Sequence, residues 1–310
     1  MPPDPFIKDF NPEIGAPSQL APGLRRLVAP NASPMTFRGT NTYLLGETKI
    51  AVIDPGPDDL RHLEAILKSV GPARKISHIF VTHSHVDHSP LARRLGQMAD
   101  APVLALGDSY VGRSARMAEL ARSSDLGGGE GVDTDFQPDQ RLHDRETVST
   151  PEWSLTALAT PGHFSNHLCF EWVGTGGVFS GDHVMSWATT LVSPPDGDLT
   201  AFMASLQYMA KRDEDQRYYP GHGAELDDPQ NMVRYQISHR QMRETQILEA
   251  LATCPATPAE LARRIYTEIP PELLPAAARN VFSHLIDLLD RNTVGTVDIL
   301  GSNAKFKLLN

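Results

Sequence analysis

Short apolar runs alternate with helically spaced apolar positions along the first 228 residues of the chain. Strands are predicted for the apolar runs bounded by turn-forming residues, at 41–45, 49–53, 76–81, 154–159, 168–173, 177–180 and 216–219. Apolar residues recur at helical spacing between some of these runs, at 59–70, 91–98 and 199–210. Strands and helices in this alternation predict helices layered on sheets.

Two stretches of this part carry a weaker pattern. Residues 1–23 are rich in proline and predict an extended arm. Residues 107–150 hold one candidate helix, 109–122, followed by the glycine-rich run 127–131. A lid over a binding site and a plain surface excursion both fit that run.

The pattern changes after Asp228-Pro229. Three helices and a hairpin are predicted there, at 230–251, 257–266, 275–289 and 294–309. The second helix opens on Thr257-Pro258-Ala259-Glu260, which has the form of a capping box with proline at the first helical position. Three helices and a hairpin are the arrangement of a winged helix. We therefore predict two domains, 1–228 and 229–310.

Composition is ordinary for a globular protein, with 40% apolar and 21% charged residues among 310. No apolar run approaches the roughly 18 residues that span a bilayer, and the N-terminus lacks the features of a signal peptide. We therefore expect no membrane span and a cytoplasmic location.

Cys169 and Cys254 are far apart, which argues against a disulfide framework or a cysteine-based zinc site. Cys169 lies in an apolar run and is expected to be a buried thiol.

The net charge of −10 disfavours general binding to phosphate backbones, which depends on clustered Lys and Arg. A local basic groove is still open, as are solvated helix faces. The residues that would form such a groove are Arg93, Arg94, Arg113, Arg116 and Arg122.

The run Thr82-His83-Ser84-His85-Val86-Asp87-His88 concentrates three imidazoles and a carboxylate directly after a predicted strand. Neutral imidazole together with carboxylate is a ligand set that suits Zn²⁺ and similar cations. The alternative is a polar loop that is merely rich in histidine.

Three further turns each bring one ligand of the same kind to a predicted strand end. They are Thr160-Pro161-Gly162-His163, Ser180-Gly181-Asp182 and Tyr219-Pro220-Gly221-His222-Gly223. Each contains glycine where the backbone must turn tightly or approach closely. Five histidines and two aspartates can thus gather at one sheet edge, which favours a metal site over the loop interpretation.

The order His-x-His-x-Asp-His, then His, Asp and His, resembles the metallo-β-lactamase superfamily. The segments 39–44, Pro161-Gly162-His163, 219–223 and Ile237-Ser238-His239-Arg240 resemble the β-lactamase-like protein 2 family over about residues 25–295. Ser89-Pro90 replaces the Gly-Gly usual in the family after the cluster, without removing a ligand. The resemblance implies an α+β fold, a four-layer αβ/βα sandwich with a small C-terminal winged-helix domain.

The resemblance also implies two metal sites, filled by two Zn²⁺ with Mn or Fe as alternatives. The first ion would be held by His83, His85 and His163, and the second by Asp87, His88 and His222, with Asp182 bridging them. Two ions about 3.5–4 Å apart can hold a bridging hydroxide that attacks the substrate. Asp87 would also orient the water. His183 would donate to an oxyanion or leaving group, or only support a ligand.

Other polar residues are given structural interpretations. His239-Arg240 would either reach the cleft from the linking helix or serve helix packing or contact between domains. Asn41, Thr42 and Tyr43 are expected to be structural. Surface or packing positions are expected for His62, His78, His143, His167 and His284.

The leading hypothesis is a hydrolase acting on a small ester, thioester or lactone. The alternative is a metal-dependent endoribonuclease acting on single-stranded RNA, which the family resemblance allows. A DNA-binding regulator is disfavoured because helix 275–289 offers only Arg279 for recognition, so the C-terminal domain is expected to serve packing or dimerisation. A homodimer is a family-based expectation.

Overall fold

A computed structural model describes residues 5–122 and 131–309. Within these ranges, one mixed sheet runs in the order β1-β2-β3-β4-β5-β6-β7. Its strands are Ser18–Ala21 (β1), Leu24–Val28 (β2), Asn41–Leu45 (β3), Lys49–Ile53 (β4), Lys75–Phe80 (β5), Val103–Ala105 (β6) and Gln140–Arg141 (β7). The pairs from β1 to β4 are antiparallel, and those from β4 to β7 are parallel.

A second mixed sheet runs in the order β12-β11-β10-β9-β8 among the described residues. Its strands are Thr147–Ser149 (β8), Ser154–Ala159 (β9), Leu168–Trp172 (β10), Gly177–Gly181 (β11) and Arg217–Pro220 (β12). Only the β11–β12 pair of this sheet is parallel. Parallel pairing puts the carboxyl ends of β11 and β12 at one edge.

The two sheets face each other across a shared apolar core that includes Tyr43 and Phe80 from the first and Phe170 and Phe179 from the second. The first sheet is covered outside by Leu60–Val70 (α1) and Leu91–Ala99 (α2). The second is covered by Leu199–Met209 (α4) and the first half of Pro229–Thr253 (α5). The predicted α+β four-layer sandwich is confirmed.

The C-terminal helices form a separate apolar core with the short hairpin of Val294–Thr296 (β13) and Phe306–Leu308 (β14). The helices are the second half of α5, Pro258–Ile265 (α6) and Leu274–Asp290 (α7). Both hydrogen bonds of the Thr257–Glu260 capping box are present at the start of α6. The predicted winged helix is confirmed, and the domain boundary at residue 228 stays a prediction.

Several expectations for the loops need correction. The expected arm ends in β1, because Pro22-Gly23 allows a tight turn that pairs β1 with β2. The helix expected at 109–122 is reduced to Ala115–Leu120 (α3). Gly112 interrupts it with φ of 81°, where an added Cβ would lie 2.4 Å from the Ser165 carbonyl oxygen.

Other expectations for the chain are met or fall outside the structure. Residues 1–4 and the glycine-rich positions 127–130 lie outside the described residues. Cys169 is buried, as expected. No helix in the described ranges is long and apolar enough to cross a membrane.

Candidate metal centre

The seven proposed ligands meet where strands of both sheets end. The loop after β5 carries His83, His85, Asp87 and His88, and the loops after β9, β11 and β12 carry His163, Asp182 and His222. Three sets of ligand atoms lie within 4.8 Å of one another: His83 with His85 and His163, His83 with His88 and Asp182, and Asp87 with His88 and His222. The structure therefore brings together every residue proposed as a ligand.

Glycine is required at position 221 because the backbone there touches the cluster. An added Cβ would lie 2.2 Å from Asp182 Oδ1 and 2.7 Å from His88 Cε1. Only a residue without a side chain leaves the carboxylate in place. Asn41 and Tyr43 support the same turn, since both donate to the Pro220 carbonyl, at 2.8 and 2.7 Å.

His83, His85 and His163, here called the imidazole group, direct one nitrogen each to a common point. His85 Nδ1 lies 2.9 Å from His83 Nε2 and 3.1 Å from His163 Nε2. The other nitrogens are anchored outward: His83 Nδ1 contacts Thr82 Oγ1 at 3.0 Å, and His163 Nδ1 donates to the Leu191 carbonyl at 2.7 Å. Thr82 Oγ1 already donates to Asp54, so it accepts from His83. These bonds leave unshared lone pairs of His83 and His163 facing inward.

Asp87, His88, Asp182 and His222, here called the mixed group, pair bases with acids. His222 Nε2 lies 3.2 Å from Asp87 Oδ2 and 3.3 Å from Asp182 Oδ2. His88 Nε2 lies 3.5 Å from Asp87 Oδ2 and from Asp182 Oδ1. Outward, His88 Nδ1 donates to Asp54 at 2.9 Å and His222 Nδ1 to the Gly39 carbonyl at 3.2 Å.

The two groups differ in charge. Burial lowers the pKa values of all three rings of the imidazole group, that of His85 to about 3, so these rings are neutral at pH 7. Burial also opposes charge in the mixed group, but the facing charges outweigh it. Asp182 raises the pKa of His222 to about 10, and Asp87 raises that of His88. The two histidines in turn hold the pKa values of both carboxyls well below their usual range.

This donor set fits a divalent cation. His83, His88, His163 and His222 each bond outward through one nitrogen and direct the other into the cluster, as metal-binding histidines do once any proton on the inner nitrogen is released. Asp182 Oδ1 is buried and makes no hydrogen bond within the described residues, and the group that faces it is His88 Nε2, 3.5 Å away. A bound metal ion would supply the close contact that this buried oxygen lacks.

Two supporting residues escaped the sequence interpretation. Asp54 accepts the Thr82 backbone N–H, the Thr82 hydroxyl and His88 Nδ1–H, at 2.7 to 2.9 Å, from a left-handed backbone with φ of 51°. The sequence feature that could have identified Asp54 is its position as a carboxylate at the end of β4, the strand next to the one that leads into the cluster. His167, expected only at the surface or in packing, is buried and accepts the Asp182 backbone N–H at 3.2 Å.

His183, predicted to act in catalysis, follows Asp182 but lies outside the three ligand sets. Its ring is fully buried and packs edge-on against Phe202, with centroids 5.1 Å apart. Burial lowers its pKa to about 3, so the ring is neutral at pH 7 and keeps one N–H.

Comparison with known proteins gives matches across both parts of the chain. Residues 35–222 match the family model described as metallo-beta-lactamase superfamily, and 257–299 match the beta-lactamase associated winged helix domain. A beta-lactamase-like protein 2 homolog of Drosophila melanogaster is 30% identical over 281 residues, covering 89% of this chain and 90% of the relative.

Two further similarities extend over most of the chain. An atrochrysone carboxyl ACP thioesterase of Aspergillus fumigatus is 28% identical over 280 residues, 84% of this chain and 79% of the relative. The crystal structure of a beta-lactamase domain protein from Burkholderia ambifaria superposes with a TM-score of 0.80 at 20% identity, covering 97% of this chain and 96% of that one.

Proposed function

This chain belongs to the metallo-β-lactamase superfamily and, within it, to the β-lactamase-like protein 2 family, and from that premise we propose a dinuclear zinc hydrolase of esters, thioesters or lactones. Membership makes the protein a hydrolase that uses divalent metal and acts on a small molecule. Relatives named as thioesterases favour the thioester within the proposed set. The observation that carries the proposal is the convergence of five imidazoles and two carboxylates at one edge.

We assign one ion to the imidazole group and the other to Asp87, His88 and His222, with Asp182 shared between them. The contact of 3.7 Å between Asp182 Oδ2 and His163 Nε2 supports the sharing, because it links the two groups. Imidazole and carboxylate ligands suit zinc, with manganese and iron as alternatives. When bound, such a pair of ions supplies a nucleophilic water at neutral pH and polarises the oxygen of the scissile group.

Asp87 is proposed to accept a hydrogen bond from the attacking water and so aim it. Its side chain is 20% exposed, whereas that of Asp182 is 8% exposed, so Asp87 is the carboxylate more open to incoming molecules. Thr40 Oγ1, at 3.4 Å from Asp87 Oδ2, helps to hold it in that position.

His183 is proposed to donate its remaining N–H to the developing oxyanion or leaving group. Its position directly after Asp182 supports the role, whereas its burial against Phe202 favours packing alone. In the assay below, a fall of about 10²-fold or more in kcat for His183→Leu, which removes the donor, supports donation if His183→Gln, whose amide N–H can still donate, loses less. An unchanged kcat assigns the residue to packing.

Single-stranded RNA remains an alternative substrate to be tested alongside. Three of the five arginines considered for a basic groove pair with acidic side chains: Arg94 with Asp58, Arg113 with Asp196, and Arg116 with Asp290. Their charge is thereby compensated locally, which weakens attraction to a phosphate backbone.

The experiment measures metal content and hydrolysis of thioesters, esters, lactones, β-lactams and single-stranded RNA. His85→Ala and Asp182→Ala are compared with His143→Ala and Asp213→Ala, which remove the same side-chain types at exposed positions outside the cluster. We expect two metal ions per chain and a loss of about 10³-fold in kcat/KM in the first two variants only, since a catalytic metal supplies several kcal/mol. Less than one ion per chain, with full activity in both variants, would refute the proposal. If the wild type cleaves RNA but hydrolyses no thioester or ester, and both variants lose RNA cleavage, the endoribonuclease alternative is supported.

A further inference from the structure

Residues 190–194, here called the strap, connect the metal centre to the C-terminal helices. On one side the strap contacts two ligand-bearing turns. The Leu191 carbonyl accepts His163 Nδ1–H at 2.7 Å, and the Thr190 hydroxyl contacts the carbonyls of Asp182 and His183 at 2.9 and 3.0 Å. The Leu191 bond fixes which nitrogen of His163 faces the imidazole group.

The other side of the strap is held by α5 and α7. Arg240 of α5 donates to the Thr190 carbonyl and, at 3.0 Å, to Asn280 Oδ1 of α7. The same Asn280 oxygen accepts the Val192 backbone N–H at 3.1 Å. One side-chain oxygen thus joins both helices to the residue that follows Leu191.

Burial of the Arg240 guanidinium between the strap and the two helices is energetically unfavourable. Arg240 is 2% exposed, its guanidinium lies 5.4 Å from the centre of the Phe202 ring, and its two acceptors described above are neutral oxygens. Burying a cation against neutral groups costs more than a well-packed apolar side chain would. This desolvation cost is consistent with a residue that fixes the position of the strap rather than one that stabilises the fold. Of the two sequence expectations for His239-Arg240, the inter-domain one describes Arg240.

We propose that Arg240 and Asn280 are positioning residues for the metal centre, which they reach through the strap and the Leu191 carbonyl to orient the His163 imidazole. The inference rests on the proposed metal-binding function, and it gives the C-terminal helices a role in completing the imidazole group. Partners that orient a ligating histidine typically contribute about 10–100-fold to metal affinity.

A second contact between the same helices provides the matched control. Arg291 at the end of α7 pairs with Glu244 of α5 at 2.6 Å. It lies eleven positions after Asn280, about 16 Å along a helix axis at 1.5 Å per residue. Arg291→Met therefore weakens the joint between the helices without touching the strap.

The test measures the affinity of the full chain for Co²⁺ and Zn²⁺ by competition with a chromophoric chelator, and the ligand-field spectrum of the Co²⁺ form. Asn280→Leu removes the shared acceptor and should weaken binding by about 10–100-fold with an altered Co²⁺ spectrum. Asn280→Asp keeps the acceptor oxygens and should match the wild type. Arg291→Met should lower Tm and leave affinity and spectrum unchanged.

The outcomes separate this inference from the function it rests on. A wild-type chain that takes up no metal, or a His163→Ala variant that binds as well as the wild type, refutes the metal centre itself. Weak binding in His163→Ala together with wild-type affinity and spectrum in folded Asn280→Leu overturns the positioning role alone. If Asn280→Leu does not fold, Asn280→Ser, whose shorter side chain cannot make both bonds, is measured against the same criteria.

Discussion

The imidazole group and the mixed group lie side by side but differ in charge: the first consists of neutral rings, and the second of histidines paired with carboxylates. In the imidazole group, neutral rings direct their inner nitrogens to one point, 2.9 and 3.1 Å apart. In the mixed group, His88 and His222 face two carboxylates, and acid and base compensate one another. A cation is thus attracted to lone pairs in the first group, whereas in the second it competes with protons.

The contrast shows that a list of ligands does not define a site until the outer hydrogen bonds are known. The same residue type, histidine, is neutral at position 85, where burial dominates, and basic at position 222, whose Nε2 lies 3.2 and 3.3 Å from two carboxylates. Asp182, a member of the mixed group, also contacts His163 of the imidazole group, with Oδ2 3.7 Å from Nε2. Substitutions next to Asp182 should therefore weaken metal binding in both groups. Substitutions at residues that bond to only one group should weaken metal binding in that group alone.

Gly221→Ala should have the largest effect, because the added methyl would overlap the Asp182 carboxylate that both groups share. We expect kcat/KM to fall by more than about 10²-fold, the loss associated with displacing catalytic groups by about 1 Å. Metal content should fall in both groups. Gly301→Ala, where an added Cβ meets its nearest neighbour only at 4.0 Å, is the control. Full activity in Gly221→Ala would show that the two groups do not depend on Asp182.

Asp54→Asn should act mainly on the mixed group. Asp54 contacts His88 directly, at 2.9 Å from Nδ1, whereas its link to His83 runs through the Thr82 hydroxyl. Losing the charge that orients His88 should weaken metal binding there by about 10–100-fold and leave the imidazole group less affected. Metal titration against Asp59→Asn, which removes a nearby carboxylate at the start of α1, provides the comparison. Equal weakening of both groups would contradict the separation.

Proton release should distinguish the groups by a smaller effect. The raised pKa values of His88 and His222 mean that these rings are protonated below those values and must lose protons to bind a cation. In His85→Ala, which keeps the mixed group, metal affinity should therefore rise about tenfold per pH unit for each proton displaced. In His222→Ala, which keeps the imidazole group, the lowered pKa values predict that metal affinity rises much less with pH.

Calorimetry in two buffers of different ionisation enthalpy counts these protons. Equal release from both variants would remove the distinction between the two groups.

Local signals in the sequence predicted much of the sandwich and the set of residues that meet in the cluster. Strands β9, β11 and β12 are predicted runs bounded by Gly, Pro or Asp, and the turns that follow them directly carry His163, Asp182 and His222. The capping box at Thr257 is equally local and is present as predicted. Features of this kind depend on neighbours in the chain, so one sequence is enough to predict them.

Features that depend on distant backbone could not be predicted in this way. Strands β6 and β7 are three and two residues long and are defined by parallel pairing, β6 with β5 and β7 with β6. The role of Asp54 requires β4 and β5 to lie side by side. Leu191 acts through its carbonyl, a group that every residue possesses, so its side chain gives no hint of the contact with His163.

The ligands lie on turns of both sheets, and His83 and His222 are separated by nearly half of the chain. Ions shared by such residues would close long loops as a removable cross-link does, and opening these loops would require the ions to leave. Resistance of the folded chain to proteases would then follow the local supply of metal. The abundance of this protein in a cell is accordingly expected to fall when that metal becomes scarce, before any change in its synthesis.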